Sequence, residues 1–508
     1  MRKTQLATQT AIRQTPKGLW CRVDAADMAG DREFAARLDM AKILSREVRD
    51  GGGRALVVGG FVRDLVMRKF GYGAMSKDID LEVYGLSEDA LKLILGRMAQ
   101  TADDGRNADV DQVGKSFGVF KFKGLDVALA RREARTPPGR GRKPRVVSDP
   151  VLEFSQAARR RDLTINALGL DLLTGEILDS YGGLLDIQNR RLRHVDPETF
   201  VDDPLRVFRV MQFAGRFGFA VDAETAELCR SVPLEYLAKE RMGEEWDKML
   251  LKSPKPSVAL GVARGLGIFG QRHTGLDRLY VASAGEAGDW AKALRSLDMA
   301  ALIVRLRGLS DERARHLMFA VIGQALDKQG AYGDKKESEL FFEEADLSSK
   351  AAAGACYLIQ HYPTADRLAA LVGTKDWTSE HDADLRRLSF DLGRAKAGLM
   401  VEDTALLAWA LRFGRLSNEA AVKNGLASVY PAGDALVARA EFLNVAHKPP
   451  ANILSGEDLA VLGVPNGPQM GGLLKKLFEA QLSGYFDGPD NVPDKARAMA
   501  YAKGLLKG

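Results

Sequence analysis

The sequence predicts a small mixed α/β domain followed by a long all-helical region. Two observations predict it. Between Ala55 and Ala128, short apolar runs and period-two alternations are interleaved with segments of helical periodicity, the signature of strands and helices in one unit. Beyond about Pro204 the strand signals fade, and Ala, Leu, Arg and Glu dominate.

From Arg32 to Val48 the apolar residues Phe34, Leu38, Ala41, Ile43, Leu44 and Val48 recur at helical spacing, and Gly51-Gly52-Gly53 ends that helix. Ala55 to Val58 is a short buried strand, Gly59-Gly60 a tight turn, and Phe61 to Lys69 a helix. Ile79, Leu81 and Val83 alternate with Asp78, Asp80 and Glu82, a second strand. Ser87 caps a further helix to about Met98. Val119 to Phe122 and Leu125 to Ala128 are strands joined at Lys123-Gly124. The stretch from Glu133 to Asp149 holds Thr136-Pro137-Pro138-Gly139-Arg140-Gly141-Arg142-Lys143-Pro144-Arg145. Proline and glycine oppose regular structure there, so it reads as a mobile basic loop or, equally, a solvated linker.

A length of 508 residues exceeds one ordinary domain. With 46% hydrophobic and 28% charged residues, the composition is that of a globular protein. No apolar run approaches the ~20 residues of a membrane helix, so no membrane association is expected. The three cysteines, Cys21, Cys229 and Cys356, lie far apart, which excludes a disulfide framework or a zinc cluster and fits a reducing, cytoplasmic setting. The first residues, Met1 to Val23, are basic and acid-free; they read as a solvated extension, with organellar import the alternative. A net charge of +5 suits a polyanionic partner without demanding one.

Four constellations carry chemistry. In Gly59-Gly60-Phe61-Val62-Arg63-Asp64, a glycine turn opens a helix; glycines allow close backbone approach, helix-start N–H groups favour phosphate, and Arg63 adds charge. Asp78 and Asp80 project to one face of a strand, an arrangement that favours a cation between them, and Asp126 on a later strand is the natural third carboxylate. Taken alone, an Asp-x-Asp pair is more often a solvated strand face. In Arg159-Arg160-Arg161-Asp162-Leu163-Thr164-Ile165-Asn166, Arg161 suits a triphosphate, with Asp162 and Asn166 on the sugar or holding neighbours in place. In Asp202-Asp203-Pro204-Leu205-Arg206-Val207-Phe208-Arg209, proline opens a helix, one aspartate suits its cap, and Asp203 and Arg206 share a face.

Taken in order, Gly59-Gly60-x-x-Arg63-Asp64, Asp78-x-Asp80, Arg160-Arg161-Asp162, Asp179-x-x-Gly182-Gly183 and Asp203-x-x-Arg206 resemble the class II tRNA nucleotidyltransferase and bacterial poly(A) polymerase family. The resemblance implies a nucleotidyltransferase head followed by a helical neck, body and tail. It implies that Asp78, Asp80 and Asp126 are catalytic, with Asp78 and Asp80 holding Mg2+. Gly59, Gly60, Arg63, Arg161, Asp162 and Asn166 would bind the nucleotide. Asp203 and Arg206 would read the base, with Arg209 beside them, and Asp179, Gly182 and Gly183 would form a flexible joint. The implied division is an extension at 1–31, the head at 32–178, a neck at 179–270, a body at 271–400 and a tRNA-binding tail at 401–508.

The implied function is addition of CCA to tRNA from CTP and ATP without a nucleic acid template, by two-metal phosphoryl transfer. A carboxylate accepts hydrogen bonds and a guanidinium donates them. Cytosine and adenine both pair an amino donor with a ring-nitrogen acceptor, so an Asp203/Arg206 pair fits them and leaves guanine and uracil unsatisfied. Poly(A) synthesis, A-only addition and non-catalytic RNA binding are the competing readings. Longer relatives carry a phosphohydrolase domain with a His-Asp pair; here Gln324-Ala325 aligns with that place, and His381-Asp382 is the other adjacent His-Asp, so no such activity is expected.

Overall fold

The computed structural model describes residues 12–15, 18–23, 28, 32–71, 78–100, 111–113, 119–134, 145–283, 288–328, 330–332, 334–416 and 429–506. The chain forms two compact units: Met1–Ala238 with Val262–Gln271, and Lys239–Gly261 with Arg272–Gly508. The stretch 179–270 is therefore shared between them. No helix among the described residues is long and apolar enough to cross a membrane.

In the first unit, α1 (Arg32–Asp50) leads into β1 (Arg54–Val58), α2 (Gly60–Lys69), β2 (Asp80–Tyr84), α3 (Glu88–Gln100), β3 (Asp111–Val113), β4 (Val119–Phe122) and β5 (Leu125–Leu129). After an excursion the chain returns as β6 (Leu168–Leu170) and β7 (Ile177–Asp179). These strands form one mixed sheet in the order β7-β6-β1-β2-β5-β4-β3. The strand β2 runs antiparallel to β1 and parallel to β5. Central position explains the sequence of β1, since Ala55, Leu56, Val57 and Val58 are all buried and no polar face is needed. One side of the sheet packs Leu56, Val58 and Tyr84 against Phe154, Ala157, Ala158 and Ala167. Gly169 in β6 is required by this packing, because a Cβ there would sit 2.7 Å from the Phe154 ring.

One feature differs from expectation. The ends of the basic stretch are paired: Arg131–Ala134 and Arg145–Ser148 form an antiparallel hairpin, with Ala134 opposite Arg145. Residues 135–144 of the expected loop lie outside the described residues. The segment after β7, where a flexible joint was expected, carries a hydrogen-bonded turn. The Asp179 carboxylate accepts from the N–H groups of Tyr181 (3.2 Å), Gly183 (2.9 Å) and Leu184 (2.9 Å), and Gly182 takes the left-handed conformation at φ 78°.

The second unit is built mainly of helices, among them Asp289–Arg307, Asp311–Asp327, Ser349–Leu371 and Val401–Arg415. Helix Asp311–Asp327 is buried along most of its length, which explains its run of apolar residues from Leu317 to Ile322. Gln324 on that helix donates to the Tyr362 hydroxyl (3.3 Å). His381 closes a capping box with Thr378, and Asp382 is held by both Arg439 nitrogens (2.8 and 2.6 Å) and by Trp377 Nε1 (2.9 Å). A separate cluster around Leu459, Met470, Phe486 and Ala498 forms near the C-terminus.

Candidate active site

The turn between β1 and α2 is backbone chemistry first. Gly59 has φ 78° and ψ −139°, a conformation that a side chain would strain. No side chain caps the start of α2 and its first turn holds no acid, so its amide ends suit an anion. A Cβ placed on Gly59 would lie 3.6 Å from Asp80 Oδ2 and 3.7 Å from Arg161 Nη1. The glycine turn, one aspartate and one arginine therefore meet at a single point.

The carboxylates come together through strand register. Asp80 on β2 is the direct partner of Asp126 on the parallel β5. Loss of solvation in this crowded edge, then the charge of Asp126, raise the Asp80 pKa, with Asp78 adding to them and Arg161 and Lys121 opposing. Lys121 on β4 faces Asp126 and pairs with it at 2.7 Å. Among the described residues no group of three His, Cys, Asp or Glu side chains forms a ready cage for a metal ion. The donor set still fits Mg2+, which is commonly held by one or two carboxylates together with substrate phosphates.

Behind Asp80 on the same strand face stands Glu82, which is buried. Its carboxylate accepts from Arg160 (2.9 Å), Arg161 (3.1 Å) and the Tyr84 hydroxyl (3.1 Å). Burial pushes its pKa up, but Arg161 and Arg160 overcome that and hold it below the ordinary value.

Several residues expected at the nucleotide are hydrogen-bonded to one another. Arg63 is buried; it pairs with Asp64 (2.7 Å), donates to Asn166 Oδ1 (2.7 Å) and lies over the rings of Phe217 and Phe213, at 4.8 and 5.2 Å. Asn166 donates onward to Asp162 (3.0 Å), and Asp162 accepts from Arg209 (2.5 Å) and from the Leu163 amide (2.8 Å). Arg63, Asn166, Asp162 and Arg209 thus form one chain of hydrogen bonds. A guanidinium with an adjacent buried carboxylate has its charge met within the fold. Arg161 does lie at the turn, where its Nη1 donates to the Asn166 carbonyl (3.4 Å).

The remaining residues lie on helix Leu205–Phe217 and just before it. Asp203 accepts from the Leu205 amide (3.1 Å), as a cap does. Arg206 donates to the carbonyls of Thr199 (2.8 Å) and Arg160 (2.5 Å), which ties this helix to the segment bearing Arg160 and Arg161. Sequence reasoning missed Glu82, which could have been found as a third acid on the Asp80 face, ahead of an adjacent Arg160-Arg161 pair.

The Asp162 pair has a measurable consequence. Burial opposes its ionisation, yet Arg209, Asn166 and the Leu163 amide bring its pKa to about 2 from an ordinary 3.8. A depressed carboxylate pKa stabilises the fold above about pH 4, and that stability is lost as pH falls toward 2. The contribution at neutral pH is about 2 kcal/mol. Urea titrations should show Asp162→Asn destabilised at pH 7 and the gap closing toward pH 2; equal stability at pH 7 would refute the pair.

This architecture, a mixed sheet with a glycine turn facing paired aspartates, defines the class. Residues 55–193 match the family model of the poly A polymerase head domain. Among curated proteins the chain is similar to the multifunctional CCA protein of Vibrio vulnificus, at 44% identity over 178 residues, covering 33% of this chain and 42% of that one. It is also similar to the multifunctional CCA protein of Stenotrophomonas maltophilia, at 37% identity over 234 residues, covering 44% of this chain and 52% of that one. The matches thus span about half the length of these relatives. Among solved structures, the Bacillus stearothermophilus CCA-adding enzyme in complex with CTP has a TM-score of 0.61 at 21% identity, covering 94% of this chain and 98% of that one. The Thermotoga maritima CCA-adding enzyme complexed with tRNA has a TM-score of 0.54 at 20% identity, covering 96% of this chain and 97% of that one, so the likeness in fold extends through the helical region.

Proposed function

We propose that this protein is a tRNA nucleotidyltransferase that adds CCA to tRNA 3′ ends from CTP and ATP, without a nucleic acid template, in the cytoplasm. The observation that carries this reading is the register pairing of Asp80 with Asp126 beside the Gly59 turn and Arg161. It puts an acidic edge next to a phosphate-binding helix start, the requirement of phosphoryl transfer to a hydroxyl. The similarity to multifunctional CCA proteins supports tRNA as the acceptor.

In this reading Asp78 and Asp80 hold Mg2+, and Asp126 completes the acidic edge. When bound, the metal would lower the pKa of the terminal hydroxyl and neutralise charge on the triphosphate. Gly59, Gly60 and the start of α2 receive the phosphates, and Arg161 stabilises them with its charge. Asp203 and Arg206 read the base. The two carbonyls on Arg206 use only part of its five-donor fork and hold it in place. The head would span 32–178 and the neck 179–270, with the body at 271–400 and the tail at 401–508 supporting the acceptor arm.

The test offers labelled CTP or ATP with tRNA ending at the discriminator base, after C, and after CC, and separately with oligo(A). Ordered incorporation of C, C and A is expected. Long A tails, or A added to CC ends alone, would overturn CCA synthesis in favour of a related activity. Binding of tRNA with no incorporation at all would overturn the enzyme reading.

A further inference from the structure

Glu82 is 3% exposed, and nothing in the reaction outlined above uses it. A buried carboxylate is costly unless its charge and its lone pairs are met. Here Oε1 accepts from Arg160, and Oε2 accepts from Arg161 and Tyr84. Without this acid, two adjacent guanidinium groups would face each other across a poorly solvated space and repel. The fork of Arg161 is divided by the contact. Its Nη2 is anchored on Glu82, while its Nη1 reaches the Asn166 carbonyl and the edge of Gly59 that Asp80 also borders.

We propose that Glu82 is a positioning residue that holds Arg161 against the Gly59-Gly60 turn, so that the guanidinium meets the triphosphate of the incoming nucleotide. This rests on the nucleotidyltransferase reading. Glu82 itself touches no nucleotide, and its effect falls on the phosphates, which CTP and ATP share, not on the base. Charge and geometry both matter. A neutral amide can accept from one guanidinium but no longer balances two, and a shorter acid cannot span from the strand to both.

The test compares Glu82→Gln with the wild type in two measurements. Steady-state incorporation should show KM for CTP and for ATP raised by the same factor, about tenfold, the effect of weakening one charge-assisted contact, with kcat changed much less. Calorimetric titration with inorganic tripolyphosphate should show the same loss of affinity without any reaction. A role confined to folding would reduce the active fraction and leave KM and tripolyphosphate affinity unmoved, and that result overturns the proposal. Glu82→Asp keeps the charge and should fall between the two; it carries the same measurement if Glu82→Gln fails to fold. A wild type that incorporates no nucleotide undoes the functional reading. A wild type that incorporates nucleotide, beside a Glu82→Gln with unchanged tripolyphosphate affinity, undoes only the role of Glu82.

Discussion

Asp80→Ala should abolish nucleotide incorporation, by at least about a thousandfold, while leaving tRNA binding and folding intact. The size follows from the loss of a metal-holding carboxylate, worth several kcal/mol of transition-state stabilisation at about 1.4 kcal/mol per tenfold. The absence of a folding defect follows from the site itself. Asp80 opens the central strand β2, and poor solvation and Asp126 raise its pKa. A carboxylate whose pKa is raised in the fold costs stability once pH rises above its ordinary value. The variant should therefore melt at the same temperature as the metal-free wild type or higher at neutral pH, and the difference should vanish below about pH 4. Added Mg2+ should raise the melting temperature of the wild type more than that of the variant, because a ligand stabilises the state that binds it. Activity retained to within tenfold would remove Asp80 from the chemistry.

Arg63→Ala should have the opposite profile, a large loss of stability. Arg63 is enclosed by Asp64, Asn166, Phe213 and Phe217. Removing it strands the buried Asp64 carboxylate and opens a gap between two aromatic rings. Breaking a buried ion pair from one side costs about 3 to 5 kcal/mol, which denaturant unfolding would resolve. Arg63→Met, which keeps the volume and loses the charge, should recover part of the packing and none of the pair. Stability of Arg63→Ala nearly unchanged from wild type would overturn this role in the fold.

The contrast between these two residues shows what was legible in advance. Both lie in motifs recognised by type and spacing, and the family followed from the order of the motifs. The strands at Ala55–Val58, Asp80–Val83 and Val119–Phe122 were also legible, because alternation and burial leave a period that needs no partner to be seen. The short strands β6 and β7, three residues each, were not, since so short a run has no period and forms only when a neighbour supplies its hydrogen bonds.

By itself, then, the sequence determined the class of head, the acidic strand face and the glycine turn, since these depend on backbone periodicity and local conformation. Tertiary structure alone decided which charged groups face the site. Asp80 and Asp126 are far apart in the chain and become neighbours through parallel register. Arg63 and Arg161 have the same side chain, yet one is turned into the core by Asp64 and Asn166 while the other is held at the turn by Glu82. A guanidinium goes where its partners lie, and partners 103 residues away, as Asn166 is from Arg63, or 79, as Glu82 is from Arg161, are set by packing, not by spacing.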